Sequence, residues 1–291
     1  MSRQQQWTIG LMSGSTPLTL TEMPNNPVFT AEMVTDVEAE FVADPFLLSS
    51  NDQWYLFFET QPRVIDTSAP PGVIGVARSA DLTDWEYLGT VLKEPWHLSY
   101  PYVFELDGSY YMLPETLGAN HVRLYQSHAF PFDWHPIADL IPGQHADPSL
   151  FYYDETWWLF TCPNPAEHNA LALYFAPDLI GPWQAHPMSP LLVDDPRGAR
   201  PAGRVLVWQD RVFRFAQDCW PRYGTQVRMF EITELSRTHY QEQEVTQSPI
   251  LTPTGHGWNG RNMHHIDPRC VDGDHWVACV DGYYAAEVQS T

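Results

Sequence analysis

The chain has 291 residues, 44% hydrophobic and 14% aromatic, with 36 acidic against 15 basic side chains and a formal charge of −21. That length and apolar content suit one sizeable core, and such a charge repels phosphate backbones, so no nucleic-acid partner is expected. No apolar run approaches the roughly 20 residues that span a bilayer.

The segment from Met1 to Gly10 lacks the apolar core of a signal peptide, so a cytoplasmic protein without a membrane span is expected. Within that segment Trp7-Thr8-Ile9-Gly10-Leu11 reads as a strand. The chain then repeats. Proline follows Asp44, Tyr100, Asp147, Arg200 and Asp267 at intervals of about 50 residues, the length of a four-stranded propeller blade. An aromatic or apolar run follows in each unit, beginning at Trp54, Tyr110, Trp157, Val212 and Trp276. Polar turns such as Asp107-Gly108 separate the two, as hairpins require. A third alternating run starts at Ile74, Val122, Leu171 and Val227, and Trp85, Trp134, Trp183 and Tyr240 end their units. Too few residues follow Asp267 for a full fifth blade. The pattern therefore predicts an all-β five-bladed β-propeller, residues 1–291 in a single domain. The N-terminal strand is expected to complete the fifth blade as an outer strand, which removes an open edge. The cysteines Cys162, Cys219, Cys270 and Cys279 show no CxxC spacing. They read as small buried hydrophobes rather than zinc ligands.

In such a fold the start of each innermost strand and the end of the second strand lie at one face. The starts carry Asp44, Tyr100, Asp147, Arg200 and Asp267; the ends carry Glu59, Glu115, Cys162, Asp218 and Asp281. Seven of these ten residues are carboxylates. A single aspartate before proline is commonly a turn residue. Seven acids converging on one opening must instead be paired, protonated or cation-bound, which marks a functional mouth. His97 and the pair His264-His265 precede two of these strands and add imidazoles to the rim. Extended backbone alternates side chains, so only one of that pair, His265, is expected to face the channel. Arg200 is expected to point into the mouth, and Arg204, further along the strand, to serve as a core partner for a carboxylate. Trp96, Tyr100, Tyr102 and Tyr223 are candidates for stacking on sugar rings, with Trp220 to Gly224 forming an overhanging loop.

The strings Phe41-Val42-Ala43-Asp44-Pro45-Phe46, His97-Leu98-Ser99-Tyr100-Pro101-Tyr102, Arg200-Pro201-Ala202-Gly203-Arg204 and Gln217-Asp218-Cys219 resemble the N-terminal propeller domain of glucosamine inositolphosphorylceramide transferases. More distantly, five blades with an Asp-Pro in the first resemble the glycoside hydrolases of families 43, 32 and 68. The hydrolase resemblance implies that Asp44 acts as base or nucleophile and that Asp147 orients the acid or stabilises the transition state. Arg200 stands where those enzymes place a glutamic acid, and a guanidinium cannot donate a proton at neutral pH. A proton donor is then sought first in Glu115, next in Asp218 and last in His265. An arginine at that place suits a substrate carboxylate or phosphate.

Cleaving a glycosidic bond needs an acid on the leaving oxygen and a carboxylate on the opposite ring face. The catalytic candidates are accordingly Asp44, Asp147, Glu115 and Asp218. The substrate-binding candidates are Glu59, His97, Tyr100, Arg200, Tyr223, His265 and Asp267. The expected activity is hydrolysis or transfer on a glycan or sugar conjugate. The alternative is a non-catalytic glycan-binding module serving a partner glycosyltransferase in polysaccharide or glycolipid biosynthesis. No cofactor or metal-ligand spacing is present; calcium is the cation that clustered carboxylates would suit.

Overall fold

A computed structural model describes residues 6–63 and 71–284. Five antiparallel four-stranded sheets form a five-bladed propeller, with no α-helix among the described residues. No helix there is long and apolar enough to cross a membrane. The first blade comprises Ala39–Ser50, Gln53–Pro62, Val73–Ser79 and Glu86–Leu92. The second comprises Ser99–Leu106, Ser109–Glu115, His121–Ala129 and Phe132–Pro142. The third is Ala146–Tyr153, Thr156–Cys162, Ala172–Ala176 and Gln184–Ala185; the fourth is Leu206–Trp208, Arg211–Asp218, Gln226–Leu235 and Tyr240–Glu244. The fifth sheet takes Ile266–Asp272 and His275–Tyr284 from late in the chain and Gln6–Gly14 and Thr21–Glu22 from early in it. Gln6–Gly14 is thus the third strand of that sheet, not its outer strand, and pairs antiparallel with His275–Tyr284 from Gln6↔Tyr284 to Gly14↔Trp276.

Each blade buries both faces against its neighbours, which explains why its strands read as nearly continuous apolar runs. In Gln53–Pro62, Tyr55 and Phe57 enter one core and Leu56 and Phe58 the core on the opposite side. Burying each such side chain stabilises the fold by about 1.5–3 kcal/mol. Cys162, Cys219 and Cys279 are buried as expected of small hydrophobes, whereas Cys270 is exposed; all four are free thiols.

Three blades open with the same distortion. Asp44, Tyr100 and Asp147 have φ of 50°, 48° and 51°, in the left-handed region, although each precedes proline. The ladder skips there, between Ala43 and Phe46, Ser99 and Tyr102, and Ala146 and Ser149, so two residues oppose one on the second strand. Such bulges re-aim a side chain, and a left-handed non-glycine residue costs about 1–3 kcal/mol. The fifth blade has no such skip, for Asp267 pairs with Cys279 and Pro268 with Ala278 in regular register.

The fourth and fifth blades meet through Gly203, which bridges in parallel to Ile266. Its φ is +130°, and a Cβ there would lie 1.8 Å from the Ile266 carbonyl oxygen. Gly203→Ala should therefore lower unfolding stability by about 4 kcal/mol, at the upper end of single-substitution effects; denaturant titration of the two proteins checks this, and matched midpoints would contradict it.

Candidate active site

The bulges and the second-strand ends bring two buried groups of polar side chains together at one face. The first is built on Asp281, at the end of the fifth blade's second strand. Its Oδ1 accepts the N–H groups of His264 and His265, both at 3.0 Å, and its Oδ2 accepts the Asp44 N–H at 3.2 Å. His264 Nδ1 lies 2.6 Å from Oδ2 of the same carboxylate. These partners outweigh burial and hold Asp281 below the usual carboxylate range. Burial disfavours charge on His264, but Asp281 and Asp44 overcome it and raise the imidazole to about 9, so His264 is a cation at neutral pH.

Asp44 is the less satisfied member. Its Oδ1 is 3.7 Å from His264 Nε2 and 3.8 Å from His265 Nδ1, and no hydrogen bond reaches it among the described residues. Burial pushes Asp44 well above the ordinary carboxylate value; His264 pulls it back, and the charges of Glu59, Asp147 and Asp281 add to the rise. His265 is fully buried, both ring nitrogens lack hydrogen-bond partners among the described residues, and burial lowers it to about 4, leaving it neutral. Residues 263–265 lie outside any strand, so the expected alternation does not apply, and both imidazoles approach Asp44. Asp44, His264 and Asp281 also place one ligand atom each within 4.8 Å of the others, a donor set that could hold a cation.

The second group is built on Arg200. Its Nε donates to Asp147 Oδ2 at 2.5 Å, and its Nη2 lies 3.3 Å from Asp147 Oδ1 and 3.5 Å from Glu115 Oε2. Its Nη1 donates to His168 Nδ1 at 2.7 Å. Gln217 Nε2 donates to Asp147 Oδ2 at 2.8 Å, and the Asp147 N–H donates to Glu115 Oε2 at 3.2 Å. Burial and the Asp147 charge raise Glu115 to about 7, with Arg200 and His97 acting in the opposite direction. Burial and the Arg200 charge lower His168 to about 4, so it is a neutral acceptor. Arg200 thus lies in the mouth, but its guanidinium is engaged by the protein rather than held free for a substrate anion.

Glu59 and His97 form a third, outer pair. The Gly72 N–H donates to His97 Nδ1 at 3.0 Å, which leaves Nε2 to face Glu59 Oε1 at 3.2 Å. The rim above is aromatic. Tyr223 sits beside His168 and His264, with Arg200 5.2 Å from its ring centre, and Trp7 stacks on His264 with ring centroids 4.1 Å apart. Trp220 and Tyr223 remain 53% and 38% exposed, so the loop presents ring surface to solvent.

Three candidates are turned elsewhere. The Asp218 carboxylate points toward the third strand of its blade, where Arg228 Nε lies at 2.8 Å and Gln226 Nε2 at 2.9 Å, and it caps the Trp220 N–H at 3.0 Å. It anchors the overhanging loop. Asp267, unbulged, is held by Arg204 at 2.7 Å and the Leu47 N–H at 2.7 Å, with Arg269 at 3.6 Å. The Tyr100 hydroxyl runs inward to Ser149 Oγ at 2.7 Å and receives the Gly203 N–H at 2.6 Å, so it ties blades together instead of meeting a sugar. Sequence reasoning missed His168, Gln217 and the structural part of Asp281. His168 follows the second-strand end at Cys162, the position where other blades carry acids, and that place in the repeat was the available signal.

Residues 2–283 match the family described as Glucosamine inositolphosphorylceramide transferase 1, N-terminal. Glucosamine inositolphosphorylceramide transferase 1 of Oryza sativa subsp. japonica is 36% identical over 299 residues, covering 95% of this chain and 40% of that protein. The protein of the same name from Arabidopsis thaliana is 30% identical, with 95% and 39% covered. The chain therefore spans about 40% of the length of these curated relatives. In fold it is similar to a thermostable family-43 glycoside hydrolase, with a TM-score of 0.61 at 17% identity over 90% of this chain and 93% of that one. From the match along nearly its whole length, the chain belongs to the family of glucosamine inositolphosphorylceramide transferase 1 N-terminal domains.

Proposed function

We propose that the chain handles a glycan or sugar conjugate at this mouth and promotes glycosyl transfer or hydrolysis there. The observation that supports this reading is a pair of buried acids in one mouth with different neighbours: Glu115 beside Arg200 and Asp147, and Asp44 beside His264. With a value of about 7, Glu115 can hold a proton for the leaving oxygen at neutral pH. Asp44 takes the carboxylate role on the other ring face; burial opposes its ionisation, and the His264 cation offsets part of that cost. Asp147, fixed by Arg200 and Gln217, lies next to Glu115 and contributes to its raised value. With Asp218 committed to Arg228, Glu115 is the donor preferred here. Trp220 and Tyr223 offer faces for a sugar ring.

Two features favour a second reading, a non-catalytic glycan-binding module. Arg200 contacts both Asp147 and Glu115, and the chain spans about 40% of proteins named as transferases. One experiment separates the two. Nitrophenyl glycosides and sugar nucleotides are screened with wild type, Asp44→Asn and Glu115→Gln. The enzymatic reading expects each variant to lose about 10²–10⁴-fold in turnover while still binding ligand. Wild-type activity should fall as pH rises through about 7, where Glu115 loses its proton, and Glu115→Gln should lack that limb. Ligand binding without turnover in any of the three proteins would leave the module reading standing.

We further infer that a cation bound at the mouth would use Asp44, Asp281 and His264, whose ligand atoms lie within 4.8 Å of one another. It would displace the proton that His264 otherwise carries, since a ligating imidazole must be neutral. An imidazole beside two carboxylates suits zinc-like ions better than calcium, which prefers oxygen alone. Added Zn2+ should shift the His264 ring resonances in NMR spectra more than Ca2+ does; an unchanged ring with both ions would remove this site.

The pairing of Gln6–Gly14 within the fifth sheet supports reading that strand as the closure of the ring. Deleting residues 6–14 should then abolish cooperative unfolding or leave an associating protein, since the edge of His275–Tyr284 would lie open. A monomeric truncation with wild-type stability would contradict it.

A further inference from the structure

The innermost strands run away from the acidic mouth, and at their far ends lies a concavity of another character. A cavity of about 430 Å³ opens there between Tyr102, Phe104, Trp157 and Trp276, with Arg204 and Arg269 in its wall. No carboxylate lines it, in a chain with 36 acidic and 15 basic side chains. The two guanidiniums share one counter-ion behind them, Asp267, at 2.7 Å from Arg204 Nε and 3.6 Å from Arg269 Nε. A positive charge is therefore left over. Arg204 Nη2 donates to the Val103 carbonyl at 2.7 Å, and Arg269 Nη2 to the Leu47 carbonyl at 2.6 Å. Neither Nη1 meets a carboxylate or carbonyl among the described residues. Burial and the neighbouring Arg204 charge pull Arg269 down to about 10, so an arriving anion would relieve a real repulsion.

The aromatic walls give the site its second property. Arg204 already lies over the Tyr102 ring, 4.4 Å from its centre, which holds the guanidinium in a fixed plane. Trp157 is partly exposed beside Tyr152, itself 53% exposed, and both also border a neighbouring cavity of about 690 Å³ that continues to Leu179 and Ile180. A guanidinium pair binds phosphate or carboxylate oxygens through directed N–H groups, and aromatic faces accept a ring. We propose that this far cavity is a second ligand site, taking an anionic group joined to a ring, with the anion on Arg204 and Arg269 and the ring against Trp157 and Phe104. Its lining shares no residue with the groups of the acidic mouth.

Isothermal calorimetry on the whole chain with phenyl phosphate, benzoate, inorganic phosphate and phenyl β-glucoside tests it. The expected result is saturable one-to-one binding of phenyl phosphate or benzoate, whichever is tighter naming the anion, and binding of the other two weaker by at least about tenfold. Arg269→Gln and Trp157→Ala, each checked as folded by circular dichroism, should weaken it by a similar factor, and Asp44→Asn should leave it unchanged. No saturable binding of either ring-bearing anion would overturn the proposal. So would inorganic phosphate binding equally well, wild-type affinity in both far-cavity variants, or loss of binding in Asp44→Asn.

Discussion

A carboxylate taken out of water must meet a cation, a proton or several N–H donors, because its lost hydration costs several kcal/mol even after relaxation. Seven acids are buried among the described residues of this propeller, and each answers that demand differently. Asp267 is met by Arg204, Asp218 by Arg228, Asp147 by Arg200 and Gln217, and Glu59 by His97. Asp281 collects three backbone N–H groups and an imidazole. Asp44 and Glu115 are left with incomplete compensation, and the proton affinity of both rises. The chemistry proposed for the mouth rests on these two acids.

The backbone decides which acids reach that state. Left-handed residues before proline, repeated in three blades, turn Asp44 and Asp147 toward the channel and let their own N–H groups reach the acid that ends the preceding blade's second strand. Asp281 thereby links the fifth blade to the first, and Glu115 the second to the third. The same distortion at Tyr100 delivers a hydroxyl to Gly203, across the channel in the fourth blade. Strain in the backbone and cohesion between blades are one arrangement here.

The blade repeat was legible because both faces of every blade are buried, so each unit needs the same aromatic runs at the same spacing. The convergence of acids followed from hairpin geometry alone. What spacing could not reveal was direction. Asp267 occupies the same place in its repeat as Asp44, but without a bulge its carboxylate turns to Arg204. Asp218 turns to a partner on the next strand of its own blade, and the irregular backbone at residues 263–265 defeats the alternation that would have hidden His264. His168 stands in the loop after Cys162, so its one trace in the sequence was the missing acid at that strand end.

The fifth sheet joins residues separated by most of the chain, and the first group of the mouth is assembled on it. His264 and Asp281 come from one part, Trp7, stacked on His264, from the other, and Asp44 from the adjoining blade. Contacts of such sequence separation form late and slowly. A partly folded chain can therefore possess several finished blades while His264, Asp281 and Asp44 are still apart.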